Sequence, residues 1–186
     1  MSDHPHPARP ILPSLLLAIS CCLGLAACGG EKMLRTQMKH ERAKLDVAKL
    51  TLAIEAYDLE YARLPLYDYG DREIPSGKEL IDALSGKDAN RNPRQRPFLK
   101  IRTGSGEILP GFIDEGGGSN SLLDPWGNRY MVKIDADDDG KILPPGARQP
   151  IKAKVIVWSY GPPPDPAAPA SAKNNSADRY LISWEY

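Results

Sequence analysis

Apolar residues recur with helical spacing between residues 31 and 64 of this 186-residue chain. The main stripe follows alternating steps of four and three and comprises Ala43, Val47, Leu50, Ile54, Tyr57 and Tyr61. A thinner second line lies on roughly the opposite side and comprises Leu34, Met38, Leu45, Leu52 and Leu59. The spacing predicts an amphipathic α-helix whose main stripe faces a core, while the second line meets a loop or a partner.

The ends of this helix are predicted from glycine and proline. Neither residue interrupts Glu31 to Leu64, and Pro65 ends the run because it disfavours helical backbone at the residue before it. The helix would reach about 30 residues, or roughly 45–50 Å. Its first third is so polar that we expect it to stand clear of the core.

The remaining chain predicts short elements joined by long loops. Ser76 is the predicted N-cap of a second helix over residues 78–84, with Glu79 completing a capping box and Gly86 closing the C-terminus. Patterns typical of strands occupy residues 98–101, 129–134, 152–158 and 180–184, turns occupy 124–128 and 135–140, and a Pro/Ala/Ser/Asn-rich loop occupies 161–177. This order predicts an α+β fold, with a long N-terminal α-helix packed on a small antiparallel β-sheet.

A second apolar run, from Ile11 to Ala27, precedes the helix and has the layout of a secretory leader after Arg9. It is near the lower limit for a bilayer span, and Pro13 weakens it further. The run ends in Leu25-Ala26-Ala27-Cys28, which has the residue types of a bacterial lipobox. We predict a diacylglyceryl thioether on Cys28 and cleavage before it. The alternatives are an ordinary signal peptide cut elsewhere and an uncleaved anchor.

Lipidation at Cys28 sets the predicted boundaries: a signal peptide over 1–27, the lipidated cysteine with a polar tether or helix start over 28–42, and one domain over 43–186. All three cysteines, Cys21, Cys22 and Cys28, lie in or at the edge of the leader. The exported part therefore has no disulfide framework and no thiolate metal site. Because 24 basic residues balance 24 acidic ones, no bulk charge attracts nucleic acid.

An acidic turn suggests calcium. Asp135, Asp137, Asp139 and Gly140 match the opening of a calcium-binding loop, in which spaced carboxylates converge on one ion. Gly146 stands where the bidentate acid of such a loop belongs, and two prolines interrupt the exit. A solvated hairpin turn is therefore the alternative interpretation.

Other candidates for chemistry are few. His40 is the only histidine outside the leader, and no serine or metal ligand is placed near it. The glycines 116–118 precede no P-loop lysine, so they indicate a flexible loop. Arg91, Arg94 and Arg96 indicate a solvated basic loop or, second, a partner surface. We expect a protein that is not an enzyme, with a hydrolase of unrecognised acidic site as the remaining alternative.

The turn at Asp124, Pro125, Trp126 and Gly127 is predicted to be structural. Pro125 fixes its own φ, and the Asp124 carboxylate can cap the turn. Trp126 brings a large apolar surface that would pin the loop to the helix stripe, with a binding role as the alternative.

Several stretches together resemble the major pseudopilin of type II secretion systems and its pilin-like relatives. The most diagnostic is Asp-Pro-Trp-Gly before an aromatic strand, here residues 123–130. The others are the tyrosine-rich helix end at 52–65, the segments 83–86, 92–94 and 98–99, and the closing Val157-Trp158-Ser159-Tyr160-Gly161 with Asp178 and Trp184. The resemblance implies a pilin-like fold over about residues 43–184.

The resemblance also implies a calcium site in the loop before the last strand, where Ser159 and Asp178 match plausible ligand positions. Arg179 stands in place of the second acid expected there, and an arginine repels a cation. The chain departs from the family at its start, because a pseudopilin begins with an apolar membrane-spanning helix. Residues 29–37 are far too polar to span a bilayer, so pilus assembly is not expected.

The sequence thus predicts a lipid-anchored, pseudopilin-like protein of the cell envelope that faces the periplasm. Its expected partners are membrane lipid, through acylated Cys28, and proteins of type II secretion or pilus-like machinery. The outer membrane is preferred because Gly29 follows Cys28, instead of the aspartate that retains many enterobacterial lipoproteins in the inner membrane. The alternative is an envelope lipoprotein that uses the fold for an unrelated structural or ligand-binding role.

Overall fold

The structure is a computed structural model that describes residues 13–102, 104–116, 118–163 and 181–182, with the side chains of 13–30, 119, 181 and 182 outside the description. The chain divides into two compact units, Met1–Met38 and Lys39–Tyr186. In the first unit the described residues belong to one helix, whose remainder lies in the second unit. The second unit carries all other described elements and the whole described core.

The long helix, α1, spans Pro13–Tyr61. It begins earlier than predicted, because residues 13–30 join the helix and Gly29 and Gly30 do not interrupt it. Two helical glycines cost only about 1 kcal/mol each relative to alanine. The helix also ends before the predicted Leu64. Ala62 donates its backbone N–H to Asp58 at 2.7 Å and then adopts a left-handed φ of 51°, which stops the helix ahead of Pro65.

The two apolar lines of α1 have different environments. The main stripe is confirmed as the core face: Ala43, Val47, Leu50, Ile54 and Tyr57 are buried, and Tyr61 packs partly buried against them. The second line is largely exposed to solvent, with relative exposures from 58% at Leu34 to 88% at Leu59.

The second helix, α2, spans Lys78–Ser85. Gly86 closes it as predicted, with φ at 84°. A Cβ there would also lie 2.6 Å from the Gln95 carbonyl oxygen, so only glycine fits. The predicted cap is wrong, because Gly77 is the N-cap residue. The buried Ser76 hydroxyl instead donates to the Leu122 carbonyl at 2.7 Å, and tertiary contact has replaced local capping.

Within the described residues, eight short strands form three antiparallel sheets. They are β1 Ile74–Pro75, β2 Phe112–Gly116, β3 Ser119–Leu122, β4 Met131–Ile134, β5 Lys141–Ile142, β6 Ile151–Lys152, β7 Val155–Ser159 and β8 Leu181–Ile182. The main sheet has the order β1-β4-β7-β8, and β2-β3 and β5-β6 are separate pairs. A short 3-10 turn over Tyr67–Tyr69 follows α1. The α+β class, with a long helix and a small antiparallel sheet, is confirmed.

The central strand β7 is buried on both faces. Val155 and Val157 join the main cluster that contains the α1 stripe. Ile156 and Trp158 point to the other face and pack with Ile142 of β5. The β5-β6 pair therefore covers the side of the sheet that α1 leaves open.

Three predicted strands need correction. Residues 98–101 form no strand, because the Leu99 N–H donates to the Leu84 carbonyl at the end of α2. The stretch 152–158 is divided between β6 and β7, since residues 153 and 154 leave extended pairing. The strand predicted at 129–134 begins at Met131. Of the strand predicted at 180–184, residues 181–182 pair with β7 and the others lie outside the described residues.

Candidate functional site

The loop at Asp124 is organised by one buried carboxylate. Asp124 is 4% exposed, and its Oδ1 accepts backbone N–H groups from Trp126 at 2.9 Å and Asn128 at 2.8 Å. Gly127 takes a positive φ of 93° and donates its N–H to the Asp124 carbonyl at 3.0 Å. The predicted capped turn is confirmed, and the glycine is required there because a side chain would strain that conformation.

The same carboxylate joins this loop to the end of β7. Its Oδ2 accepts the Ser159 hydroxyl at 2.6 Å, and the Ser159 Oγ accepts the Gly161 N–H at 2.9 Å. The Asn128 side chain adds a bond to the Gly161 carbonyl at 3.3 Å. Two motifs that lie 35 residues apart in sequence therefore form one hydrogen-bonded cluster, buried except at Asn128, which we call the signature cluster: Asp124, Asn128, Ser159 and Gly161.

Trp126 extends the signature loop toward α1. Its ring meets the His40 ring edge-on, with centroids 5.0 Å apart and an interplanar angle of 76°. The side chain is partly buried and packs against the main cluster. The predicted pin between this loop and the helix is confirmed, with His40 as the contact that the sequence pattern did not identify.

A buried tyrosine lies beside the signature strand. The Tyr130 hydroxyl donates to Asp46 Oδ2 of α1 at 3.3 Å. Burial, together with the charges of Asp46 and Asp124, raises the pKa of Tyr130 far above its ordinary value. Tyr130 is therefore protonated at physiological pH and serves as a hydrogen-bond donor.

The acidic turn brings its three aspartates together. One carboxylate oxygen each from Asp135, Asp137 and Asp139 lies within 4.8 Å of the others. Hard oxygen ligands at this separation suit calcium, which takes six to eight of them. Asp137 and Asp139 are exposed, and Asp135 is buried.

Asp135 already stabilises the turn through hydrogen bonds from the turn's own backbone. Its two oxygens accept the N–H groups of Asp139 at 3.1 Å and Gly140 at 2.8 Å. Burial raises the pKa of Asp135, and a hydrogen bond with Asp137 adds to the effect. A calcium ion would therefore compete with the backbone donors, so the turn as folded fits calcium only in part.

Of the second candidate calcium site, Ser159 and Asp178, the structure describes only Ser159. The Ser159 hydroxyl is buried and donates to Asp124, as above. Asp178 lies outside the described residues. Calcium at Ser159 and Asp178 stays a prediction.

The arginine loop is attached to α1 by ion pairs. Arg94 and Arg96 both contact Glu60, the latter at 2.8 Å.

Arg91 contacts Asp88 at 3.2 Å and Asp68 at 3.3 Å. Burial would raise the pKa of Asp88, but hydrogen bonds from Arg91 and Asn90 overcome it and lower that pKa. This patch, predicted to be a solvated loop or partner surface, carries a structural role.

Tyrosine hydroxyls add to that attachment. Tyr57 donates to the Arg91 carbonyl and Tyr61 to the Asn92 side chain, each at 2.6 Å. The sequence pattern placed both tyrosines on the core stripe but gave no signal for these polar contacts. They depend on how the loop folds back over the helix end.

The predicted lipidation site lies in α1. The backbone of Cys28 is helical, and its side chain lies outside the described residues. Among the residues that the structure describes, neither helix combines the length and the apolar character needed to cross a bilayer. The acylation of Cys28 stays a prediction.

Comparison of the chain with protein-family models, with characterised proteins and with solved structures finds no match.

Proposed function

We propose that this protein is a non-enzymatic, lipid-anchored, pseudopilin-like component of the bacterial cell envelope. It is held to the membrane by acylated Cys28 and faces the periplasm, with the outer membrane preferred. Its head domain docks to type II secretion or pilus-like machinery through loops and sheet.

The observation that carries the proposal is the signature cluster. Two of the stretches that resemble the pseudopilin family are the loop at Asp124–Gly127 and the segment ending at Ser159–Gly161, and a buried carboxylate joins them directly. In addition, Trp126 packs against the long helix through His40. Residues that the resemblance selected as a set are thus in contact, on an α+β frame of helix and antiparallel sheet.

The anchoring part of the proposal rests on Leu25-Ala26-Ala27-Cys28 at the end of an apolar run. Buried acyl chains contribute about 0.8 kcal/mol per methylene, so several chains make attachment effectively permanent. A membrane-spanning helix is then unnecessary for anchoring.

Metabolic labelling with an alkyne-bearing palmitate tests the anchor. Cys28→Ser should abolish labelling and release or mislocalise the protein, whereas Cys21→Ser and Cys22→Ser should keep both labelling and membrane association. Labelling or membrane association unchanged in Cys28→Ser would refute the lipoprotein assignment.

A secretion assay tests the functional part. Deleting the gene should block export of proteins that cross the outer membrane, and the wild-type chain should restore it while Cys28→Ser should not. Normal export in the deletion strain, with a defect elsewhere in the envelope, would favour the alternative of an envelope lipoprotein with an unrelated structural or ligand-binding role.

A further inference from the structure

An open groove of about 570 Å³ lies along the side of α1, wholly within the second unit. One wall is formed by α1 between residues 42 and 53, and the other by residues 98–100 and 109–112. Of its thirteen lining residues, nine are apolar and four are charged. This volume lies within the range of about 300–1,000 Å³ that small-molecule sites occupy.

The apolar part of the groove has a buried floor and an exposed rim. Ala53, Leu99 and Leu122 form the floor and are buried. Leu45 and Leu52, from the second apolar line of α1, lie at the rim with 60% and 64% of their surface exposed. Exposed leucines beside an apolar cavity leave apolar surface in contact with water. Covering that surface with an apolar group lowers the free energy.

Positive side chains outnumber negative ones around the groove. Arg42, Lys49 and Lys100 line it, against the single carboxylate of Asp46. Asp46 is buried between Arg42 at 3.5 Å and Lys49 at 3.6 Å, and it also accepts the Tyr130 hydroxyl. Three cations and one acid thus line the groove, so it favours a ligand with a negative charge.

Arg42 is positioned across the groove by a glycine. A Cβ at Gly111 would lie 2.5 Å from the Arg42 guanidinium, so the arginine reaches the opposite wall directly over that backbone. A planar guanidinium is the preferred partner of a carboxylate because its donors match both oxygens.

The nature of the floor distinguishes between ligand classes. A peptide bound in extended form would bring N–H and C=O groups that need hydrogen-bond partners when buried. The apolar side chains that line the groove cannot form hydrogen bonds with such groups. An acyl chain carries no polar groups along its length and needs none.

We propose that this groove binds a long-chain fatty acid anion, with the acyl chain on the Ala53, Leu99 and Leu122 floor and the carboxylate at Arg42, Lys49 and Lys100. Every lining residue belongs to the second unit, so Cys28 is not part of the site. It goes beyond a docking role and gives the protein a ligand of its own.

Photolabelling of the full chain in phosphatidylcholine vesicles tests the proposal. A diazirine-bearing palmitate should label residues 42–53 or 98–112 saturably. Unlabelled palmitate added to the same vesicles should compete. Palmitate should also compete better than hexadecanol, because the alcohol lacks the charge.

Two matched pairs of variants separate the groove from general apolar adsorption. Leu52→Asp should abolish labelling, whereas Leu59→Asp should not, since Leu59 belongs to the same exposed line but does not line the groove. Lys100→Glu should remove the preference for palmitate over hexadecanol, whereas Lys152→Glu, on strand β6, should keep it. The altered leucines are exposed, so these changes leave the core intact.

Three results would overturn the proposal. Labelling spread evenly along the chain, or equal in Leu52→Asp and Leu59→Asp, would mean nonspecific adsorption. Cross-links from a photoreactive residue at position 52 to a second copy would assign the groove to self-association. Cross-links from that position to another polypeptide, with palmitate unable to compete, would assign it to a protein partner.

Discussion

The Asp124 carboxylate accepts most of the side-chain hydrogen bonds of the signature cluster. It accepts two backbone N–H groups of its own loop and the hydroxyl of Ser159 on β7. A buried charge is tolerated only where hydrogen bonds replace the water it has lost. The carboxylate therefore determines both the shape of the loop and its position on the sheet.

Asp124→Ala should lower the free energy of unfolding by about 2–3 kcal/mol, because it leaves buried donors without an acceptor. Urea unfolding measures this change. Asp137→Ala, at an exposed position, is the control and should change stability by less than about 0.5 kcal/mol.

Ser159→Ala completes a double-mutant cycle with Asp124→Ala. Since the two groups are bonded at 2.6 Å, their effects should be non-additive by about 0.5–3 kcal/mol. Additive losses would show that the bond does not join the two motifs energetically.

The calcium affinity of the acidic turn also depends on single residues. The turn offers three carboxylates, but Asp135 is occupied by backbone donors and Gly146 replaces the closing acid. We expect a Kd of about 1 mM, so 1 mM calcium adds about 0.4 kcal/mol and raises Tm by about 1–2 °C. Thermal unfolding with and without calcium measures the shift.

Two variants assign any calcium response. If the acidic turn binds the ion, Asp137→Ala should remove the shift and Asp178→Ala should not. If the site is Ser159 with Asp178, Asp178→Ala should remove it. A rise of many degrees at sub-millimolar calcium would contradict the expectation of a weak site.

Among the elements, α1 carries two apolar lines with separate functions. The main stripe supplies the core against the sheet, while Leu45, Leu52 and Leu59 remain exposed on another face. Leucine occurs on both faces of α1, so the same substitution made on each face isolates the effect of burial.

Leu50→Ala should destabilise the protein by about 2–5 kcal/mol, because it removes a fully buried side chain and leaves a cavity. Leu59→Ala, at 88% exposure, should cost less than about 0.5 kcal/mol. Chemical unfolding of both variants measures the difference. Equal losses would contradict the assignment of the core face.

At the scale of the whole molecule, the core lies in the unit Lys39–Tyr186. α1 packs on one face of the main sheet, and the β5-β6 pair covers the other. Our proposals place membrane attachment before this unit and ligand binding within it.

A chain that begins at Lys32 should therefore be soluble and should not form filaments. It contains the entire second unit and begins in a polar segment, so it lacks the apolar helix that packs a pilus. Negative-stain electron microscopy and sedimentation measure this. Ordered fibres would show that the head domain polymerises without an apolar N-terminal helix.

The sequence determined the parts that depend on local periodicity and turn chemistry. The core stripe of α1, the closure of α2 at Gly86 and the capped turn at Asp124 follow from residues close together in the chain, so pattern alone predicted them. The strand at residues 98–101 and the cap at Ser76 were predicted on the same grounds and are wrong.

Tertiary structure decided those cases because backbone and hydroxyl groups found partners far away in sequence. Ser76 bonds to Leu122 instead of capping its helix, and Leu99 bonds to the end of α2 instead of a neighbouring strand. The Asp124–Ser159 bond and the groove beside Leu52 likewise arise only when distant segments meet. Periodicity shows which face of an element is apolar, but only folding determines what that face and its polar neighbours contact.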